Sequence, residues 1–268
     1  MNRRSAGGAA DHGTPGLLVV RDVRVRFGGV VALDGPSFDL RQGEICGLIG
    51  PNGAGKTTLF NCISRLYEPD SGSICFRGED LLAQRVEDIS STGIARTFQN
   101  LGLFGSMTVL QNVLVGGHHR THRGFWSTVL GLPGGRREER EEIGRAHAVL
   151  RELDLAGVAE ELADGLPFGT LKRVELARAL MADPRLLLLD EPANGLNHSE
   201  VAELGETIRR IRDERDLTVL LVEHHMGMVM SISDSVVVLN FGQVIAQGSP
   251  DQVKNDHAVI EAYLGSVA

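Results

Sequence analysis

The chain has 268 residues, of which 42% are hydrophobic and 4% aromatic, and its formal net charge is −8 at pH 7. This length suits one sizeable core or a core with a smaller lobe. The acidic balance gives no electrostatic support for a nucleic-acid partner. The three cysteines form no CxxC pair, which indicates thiols in a reducing cytoplasm, and no apolar run reaches the ~18–20 residues needed to cross a bilayer.

The predicted elements begin after residues 1–16, a polar stretch without a signal-peptide core that we expect to be a disordered tail. The runs LLVVRDVRVRF and VALDGPSFDL predict antiparallel strands. EICGLIG then predicts a strand and KTTLFNCISRL a helix, and the texture from about Asn100 to Asp164 is helical. The apolar runs RLLLLDEP and LTVLLVEHH are typical of parallel strands covered on both faces. The fold class is therefore an α/β core with an N-terminal antiparallel β subdomain and an inserted helical lobe.

A glycine-rich segment, GPNGAGKTT, matches the phosphate-binding pattern G-x-x-x-x-G-K-[ST] between a predicted strand and a predicted helix. Its residues are Gly50, Pro51, Asn52, Gly53, Ala54, Gly55, Lys56, Thr57 and Thr58. Backbone N–H groups would cradle the phosphates, Lys56 would reach the β/γ oxygens, and Thr57 would ligate Mg²⁺. The alternative is a glycine-rich turn on an unrelated helix, but a chance match arises in roughly one percent of such chains or fewer. Lysine is scarce here, with three against 24 arginines, so its presence at this position favours a narrow phosphate pocket.

Two adjacent carboxylates, Asp190 and Glu191, end the predicted strand of LLLLDEP. Ligands of open α/β sheets bind at such carboxyl ends. Because successive strand residues point to opposite sides, the two carboxylates should have different roles. We predict that Asp190 holds Mg²⁺ and that Glu191 polarises the attacking water; the alternative is that both cap the turn at Pro192.

A histidine and a glutamine complete the predicted reaction site. His224 follows the strand of VEHH, and it is chosen over His225 because only one of the pair can face the site; it would donate to the γ-phosphate oxygens. Gln99, in RTFQN, would orient the water and touch Mg²⁺.

The segment LPFGTLKRVELARAL predicts a short turn, Leu166–Thr170, followed by a helix over Lys172–Leu180. Together with GPNGAGKTT, FQN, LLLLDEP, GLNH and VEHH, this segment resembles the nucleotide-binding subunit of ATP-binding cassette (ABC) transporters. The resemblance runs from about Leu17 to Gly265. Within that family, the chain is most similar to the longer ATPase subunit of branched-chain amino-acid uptake systems. It implies a P-loop NTPase core of the RecA-like type, with one nucleotide-binding domain over 17–268. The core would comprise 17–98 and 166–268, and the helical subdomain about 99–165.

The resemblance also implies how ATP and Mg²⁺ are bound. Phe27 matches the aromatic residue that stacks on adenine, Glu191 the catalytic base, His224 the γ-phosphate contact, and Gln99 the residue that couples Mg²⁺ to the membrane partner. The signature turn of the family, here Leu166, Pro167, Phe168, Gly169 and Thr170, contacts the ATP held by the opposite subunit. Asn197 stands in the neighbouring loop, where an aspartate is common.

Pro167 is the clearest departure from the family pattern, because it removes a serine hydroxyl and a backbone N–H. One hydrogen bond to a charged phosphate contributes ~1.5–3 kcal/mol. Gly169 and the start of the following helix would still bind an anion. We therefore expect the turn to function, and LPFG marks the amino-acid uptake subtype.

The partners implied are two membrane permease subunits, a second ATPase subunit (itself or a sibling) and, indirectly, a solute-binding protein, with no nucleic acid. The location would be peripheral, at the cytoplasmic face of the membrane. A groove beside Gln99, lined by Leu101, Leu103 and Phe104, would receive a permease helix, unless this apolar cluster is a dimer rim. The cargo could also be urea, an amide or another amino acid. The alternatives to a transport ATPase are a non-transport soluble ABC ATPase and a P-loop kinase or transferase.

Overall fold

Residues 16–97, 101–117 and 133–264, which the computed structural model describes, form two sheets surrounded by helices. The strands are β1 (Leu18–Phe27), β2 (Val30–Asp34), β3 (Phe38–Leu40), β4 (Ile45–Ile49), β5 (Ser71–Phe76), β6 (Glu79–Asp80), β7 (Ile94–Arg96), β8 (Leu186–Asp190), β9 (Thr218–Val222), β10 (Ser235–Asn240) and β11 (Gln243–Gly248). The α-helices are α1 (Lys56–Ile63), α2 (Ile89–Thr92), α3 (Val109–Val115), α4 (Pro133–Glu152), α5 (Phe168–Leu180), α6 (His198–Arg215), α7 (Met226–Ile232), α8 (Pro250–Lys254) and α9 (His257–Leu264). Short 3₁₀ turns span Leu81–Ala83, Val86–Asp88 and Ala156–Val158.

The smaller sheet is antiparallel and is built around the long strand β1. β1 pairs with β2 and β3 and also with β5, and β6 completes the sheet beside β5. Leu18 and Val20, and then Val23 and Val25, are buried in alternation along β1. The alternation shifts by one residue at Asp22, which has φ 47°, where the pairing with β5 is irregular. The predicted N-terminal antiparallel region is confirmed.

The larger sheet has the order β11-β10-β4-β9-β8-β7. Neighbouring strands from β10 to β7 are parallel, and only the β10–β11 hairpin is antiparallel. Because parallel strands end at the same edge, the segments that follow β4, β8 and β9 come together there. This edge carries the candidate site.

Both faces of the larger sheet are buried. On β8, Leu187 and Leu189 pack into the core beneath the helices, whereas Leu186 and Leu188 pack into the core shared with the smaller sheet. An uninterrupted apolar run is the pattern expected of a strand covered on both sides. The predicted α/β fold class is thereby confirmed.

Helix α5 begins earlier than the sequence predicts. It starts at Phe168, four residues before the predicted Lys172, and Pro167 is its N-cap residue with φ −54°. Proline at the start of a helix is well tolerated because the first N–H groups have no intrahelical partner. The predicted helix over Lys172–Leu180 was therefore too short, and the signature residues themselves form the first turn.

The insertion between β7 and β8 contains α3 and α4, which pack against α5. Thr108 and Gln111 form a reciprocal capping box at the start of α3. The division into a core and a helical subdomain remains a prediction, and most of the predicted tail, residues 1–15, lies outside the described residues. Among the residues that the structure describes, no helix has the length and apolarity to span a bilayer.

Candidate active site

The glycine-rich loop follows β4 and leads directly into α1. Gly55, the N-cap residue of α1, has φ 102°, and a Cβ atom there would lie 2.5 Å from the carbonyl oxygen of Ala32. Only glycine accepts that combination of a left-handed φ and a close backbone. The loop sequence is therefore required by its local geometry.

Lys56 is folded back into this loop. Only 6% of the residue is exposed, and its ammonium nitrogen donates to the carbonyl oxygens of Gly50 (2.7 Å) and Pro51 (2.9 Å). Burial lowers the pKa of Lys56, while the carboxylates of Glu191 and Asp190 counter that change. The loop lysine and both predicted carboxylates therefore share one electrostatic environment.

Asp190 is a buried carboxylate that is held from the strand β7 side. Its Oδ2 accepts a hydrogen bond of 2.9 Å from Arg96, and its backbone N–H donates to the Thr97 hydroxyl at 3.3 Å. Arg96 also donates to Asn61 of α1 and to Ser64, the residue that caps its C-terminal end. The guanidinium group thus offsets the charge of Asp190 and ties the carboxylate to the helix that begins with Lys56.

Glu191 and His224 meet across the edge of the sheet. Glu191 Oε1 lies 2.6 Å from His224 Nε2, although the two residues follow different strands. Glu191 adopts φ +49°, and its N–H donates to the Val222 carbonyl. The side chain of Glu191 is only 15% exposed, whereas that of His224 is 46% exposed. The buried carboxylate and the accessible imidazole therefore face the same space.

Phe27 lies at the end of β1 and forms an aromatic pair with Tyr67. Their ring centroids are 5.3 Å apart and the rings are nearly perpendicular. Phe27 is 48% exposed, so much of its ring is accessible to a ligand. The sequence analysis missed Tyr67, because a single tyrosine 40 positions away has no local signal.

The signature turn contacts the loop that follows β8. At Gly195, with φ +84°, a Cβ atom would lie 2.8 Å from Phe168 Cε1, so the ring of Phe168 rests on the glycine. The ammonium group of Lys172 lies over the same ring, 5.6 Å from its centroid. At Gly169, a Cβ atom would lie 3.0 Å from a carboxylate oxygen of Glu200 in α6. The turn and the start of α6 therefore form one surface.

Asn197 is the N-cap residue of α6. Its Oδ1 accepts from the backbone N–H groups of Ser199 (3.0 Å) and Glu200 (3.1 Å), and Glu200 accepts from the Asn197 N–H in return. These bonds give the residue a local role in holding the helix start. The predicted contact of Asn197 with a nucleotide is not tested by this arrangement.

A groove lies between the segment that follows α1, the segment before β7, and helices α3 and α5. It encloses about 510 Å³ and is lined by the exposed apolar side chains of Leu66, Val86, Phe104 and Val115. Of the three predicted lining residues, Phe104 lines the groove, Leu101 is not among the lining residues, and Leu103 packs against the core formed with helices α3, α4 and α5.

Arg178 of α5 fixes one wall of this groove. It donates to the carbonyl oxygen of Gly102 at 2.6 Å, and burial lowers its pKa. Gln99 lies outside the described residues, so its predicted role is not tested.

Two further residues support the site without a recognisable motif. Glu223 is 2% exposed, and its carboxylate accepts hydrogen bonds from backbone N–H groups of the loop after β8 and of the loop after β9. Tyr263 of α9 lies beside the phosphate loop; burial raises the pKa of its phenol, and the Gly50 backbone partly counters that rise. A carboxylate at the end of an apolar strand was the available signal for Glu223, whereas nothing near Tyr263 in the sequence points to Gly50.

A lysine enclosed by a glycine loop, at the carboxyl edge of a parallel sheet, is the arrangement of P-loop nucleoside triphosphatases. Comparison with known proteins narrows this class. A family model described as "ABC transporter" matches residues 33–194, and one described as "Branched-chain amino acid ATP-binding cassette transporter" matches residues 243–268. The chain therefore belongs to the ABC transporter family and carries its ATPase domain.

Individual relatives cover nearly the whole chain. The high-affinity branched-chain amino acid transport ATP-binding protein LivG of Salmonella typhimurium is 43% identical over 93% of this chain and 98% of its own. The corresponding protein BraF of Pseudomonas aeruginosa is 42% identical over the same shares. The crystal structure of the ADP conformation of MJ1267, an ATP-binding cassette of an ABC transporter, is 30% identical and superposes with a TM-score of 0.82. That match covers 94% of this chain and 100% of the other.

Proposed function

We propose that this chain is the ATP-hydrolysing subunit of an ABC importer for branched-chain amino acids. The observation that carries the proposal is the meeting of Glu191 and His224, 2.6 Å apart, at the sheet edge that also bears the phosphate loop. A carboxylate base and an imidazole donor beside a phosphate cradle are the groups that hydrolysis of a γ-phosphate needs. The identity to LivG and BraF supports the choice of cargo.

Glu191 and His224 have separate roles in the proposed hydrolysis. Glu191 orients the attacking water and accepts its proton as the water oxygen bonds to the γ-phosphorus. The bond between that phosphorus and the β–γ bridging oxygen breaks, which leaves ADP and phosphate. His224 and Lys56 donate to the γ-phosphate oxygens as charge spreads over them.

The residues present fit a magnesium ion. Thr57 is exposed at the start of α1 and supplies a hydroxyl oxygen, and Asp190 supplies a carboxylate, which are hard ligands. At nucleotide sites Mg²⁺ usually takes one or two carboxylates besides the phosphates and keeps several of its waters. When bound, Mg²⁺ neutralises charge on the β- and γ-phosphates. Arg96 keeps Asp190 oriented, and Gln99 is proposed as a further ligand.

The signature turn and Asn197 are proposed to act on a second ATPase subunit, either a copy of this chain or a sibling. Phe168 is 44% exposed, and Pro167 and Gly169 line a groove of about 610 Å³ beside α6. A nucleotide would be enclosed when this face closes on the phosphate loop of the other subunit. Phe27 of the subunit that supplies the phosphate loop would stack on the adenine of that nucleotide. Closure of two such sites gives the dimer its dependence on ATP.

The groove lined by Phe104 is proposed as the docking site for a cytoplasmic helix of a permease subunit. Four exposed apolar side chains around one groove suit the apolar face of an amphipathic helix. Docking of two permease subunits would hold the ATPase peripherally, at the cytoplasmic face of the membrane. A solute-binding protein would act on the permease from the opposite side.

The proposal is tested with the chain co-expressed with two candidate permease subunits and a candidate second ATPase subunit from the same organism. We expect a stable membrane complex whose ATPase activity in liposomes rises with binding protein and leucine but not with urea. Stimulation by urea or an amide instead of leucine would show that the transported solute is not a branched-chain amino acid. A stable complex with RNA or DNA, and none with a permease, would overturn the transport function.

A further inference from the structure

Glu223 is a buried carboxylate that has no role in the steps above. It follows β9 directly, lies between Val222 and His224, and is only 2% exposed. Burying a carboxylate is costly unless it is hydrogen-bonded. Its contacts therefore indicate what it stabilises.

Within the described part of the chain, Glu223 accepts three hydrogen bonds, all from backbone amides. Oε1 accepts from the N–H of Ala193 at 2.7 Å, and Oε2 accepts from the N–H groups of His224 (2.7 Å) and His225 (3.0 Å). Ala193 is two residues beyond Glu191, in the loop after β8. One side chain thus joins the loop that carries the proposed base to the loop that carries the proposed phosphate contact.

The contacts close a ring of interactions around the reaction site. The Glu223 carboxylate is bonded to Ala193, which the backbone connects to Glu191 two residues earlier. Glu223 is also joined to His224 by a peptide bond. Glu191 and His224 complete the ring through their 2.6 Å side-chain contact. A shift in either loop would therefore change the distance between the two reactive groups.

Glu191 also has a backbone conformation that needs support. Its φ of +49° lies in the left-handed region, which residues with a Cβ atom seldom adopt. Such conformations persist where the surroundings over-determine them. The bond from the Ala193 N–H to Glu223 fixes the chain just beyond Glu191, and the bond from the Glu191 N–H to Val222 fixes it on the near side.

We infer that Glu223 is a positioning residue for hydrolysis: it clamps the two reaction loops so that Glu191 and His224 stay in register. This role rests on the proposed functions of Glu191 and His224. Glu223 lies behind the reactive groups and acts through backbone amides, so its loss should reduce turnover and leave nucleotide binding intact.

The main test compares Glu223→Ala with the wild-type chain. We expect kcat for ATP hydrolysis to fall about tenfold or more, since hydrogen bonds to a charged group are lost from both loops. The affinity for a fluorescent ATP analogue should stay within about twofold, because the phosphate loop is unchanged. Asp234→Ala is the control: Asp234 is also a carboxylate that accepts from a backbone amide, that of Ile45, and it is further paired with Arg212, but it lies at the opposite edge of the sheet. Its kcat should match the wild type.

A second readout does not depend on activity. In ¹⁵N-histidine NMR spectra, the ring signals of His224, assigned by their loss in His224→Gln, should report its hydrogen bond to Glu191. We expect those signals to change in Glu223→Ala and to stay unchanged in Asp234→Ala. Unchanged ring signals, or a kcat that falls only in proportion to the unfolded fraction, would overturn the inference.

A substitution of equal size covers a failure of Glu223→Ala to fold. In Glu223→Gln, the amide nitrogen cannot accept from a backbone N–H, so one loop loses its anchor. We expect a lower kcat with the same change in the His224 ring signals. Wild-type kcat and spectra in this variant would disprove the clamp. The Glu191→Gln variant tests the hydrolytic site separately, because normal turnover there would remove the proposed function whatever Glu223 does.

Discussion

Glu191 Oε1 and His224 Nε2 are 2.6 Å apart, although 33 residues separate them in the chain. The contact fixes the orientation of a carboxylate that is mostly buried and of an imidazole that is largely exposed. A carboxylate held in this way keeps its basic oxygen at the edge where the phosphate loop lies. The pair is therefore the place where substitutions should separate nucleotide binding from hydrolysis.

Glu191→Gln should stop turnover and preserve ATP binding. The amide can still bond His224, but it cannot accept the proton of an attacking water. ATP should then trap the proposed dimer, which would otherwise open after hydrolysis. Phosphate release measures the first effect, and size-exclusion chromatography with ATP and Mg²⁺ measures the second. Turnover equal to that of the wild type would show that another group is the base.

Phe27→Ala should weaken ATP binding without lowering kcat at saturating ATP. Truncating an aromatic residue that stacks on a base costs ~1–3 kcal/mol, so the affinity should fall about five- to hundredfold. Titration with a fluorescent ATP analogue provides the measurement. Tyr67→Phe is the control, because it keeps the ring that contacts Phe27 edge-on. An unchanged affinity in Phe27→Ala would place the adenine elsewhere.

Gly195→Ala should destabilise the chain. A Cβ atom at this position meets the Phe168 ring at 2.8 Å, and the residue has φ +84°. The left-handed conformation alone costs ~1–2 kcal/mol, which lowers the thermal midpoint by about 2–4 °C per kcal/mol in a chain of this size. Differential scanning fluorimetry measures the change.

Two further variants separate the two causes at Gly195. Adding Phe168→Ala should recover the steric part of the loss and leave the backbone part. Gly144→Ala, in helix α4 and with no atom near its added Cβ, should not lower the midpoint. If both glycine variants had the same midpoint, the contact between Phe168 and Gly195 would have no energetic weight.

The buried thiols predict a loss of stability at alkaline pH. Burial raises the pKa of Cys46 to about 12 and that of Cys62 to about 11. In the unfolded chain a thiol ionises near ~8.5, so above that pH the unfolded state loses protons first and becomes favoured. Below that pH the two thiols contribute no pH dependence. Urea midpoints measured from pH 7 to 11 should decline.

The double variant Cys46→Ala, Cys62→Ala is the control for this decline. It should be less stable near neutral pH, because small cavities form in the core, but its decline with pH should be shallower, so the difference from the wild type should narrow as the pH rises. An equal slope in both proteins would assign the pH dependence to other groups.

The sequence predicted those parts of the site whose geometry is local. The phosphate loop follows from glycines at left-handed positions, and the strands β8 and β9 follow from their uninterrupted apolar runs. The pairings of Arg96 with Asp190 and of Phe168 with Gly195 join residues 94 and 27 positions apart, and no periodic pattern encodes such contacts. The predicted start of α5 at Lys172 was wrong. Glycine and proline disfavour helix interiors, which argued against a helix through Pro167 and Gly169, but proline suits the start of a helix.

Helix α5 joins the two surfaces that are proposed to bind different partners. Arg178, near its end, holds the Gly102 carbonyl at the groove, and Phe168, at its beginning, lies on Gly195. The helix has 13 residues and therefore spans ~20 Å. A movement of the permease at the groove would be transmitted along this helix to the proposed contact between the two ATPase subunits. Within each subunit, a single helix would thus couple permease movement to ATP hydrolysis.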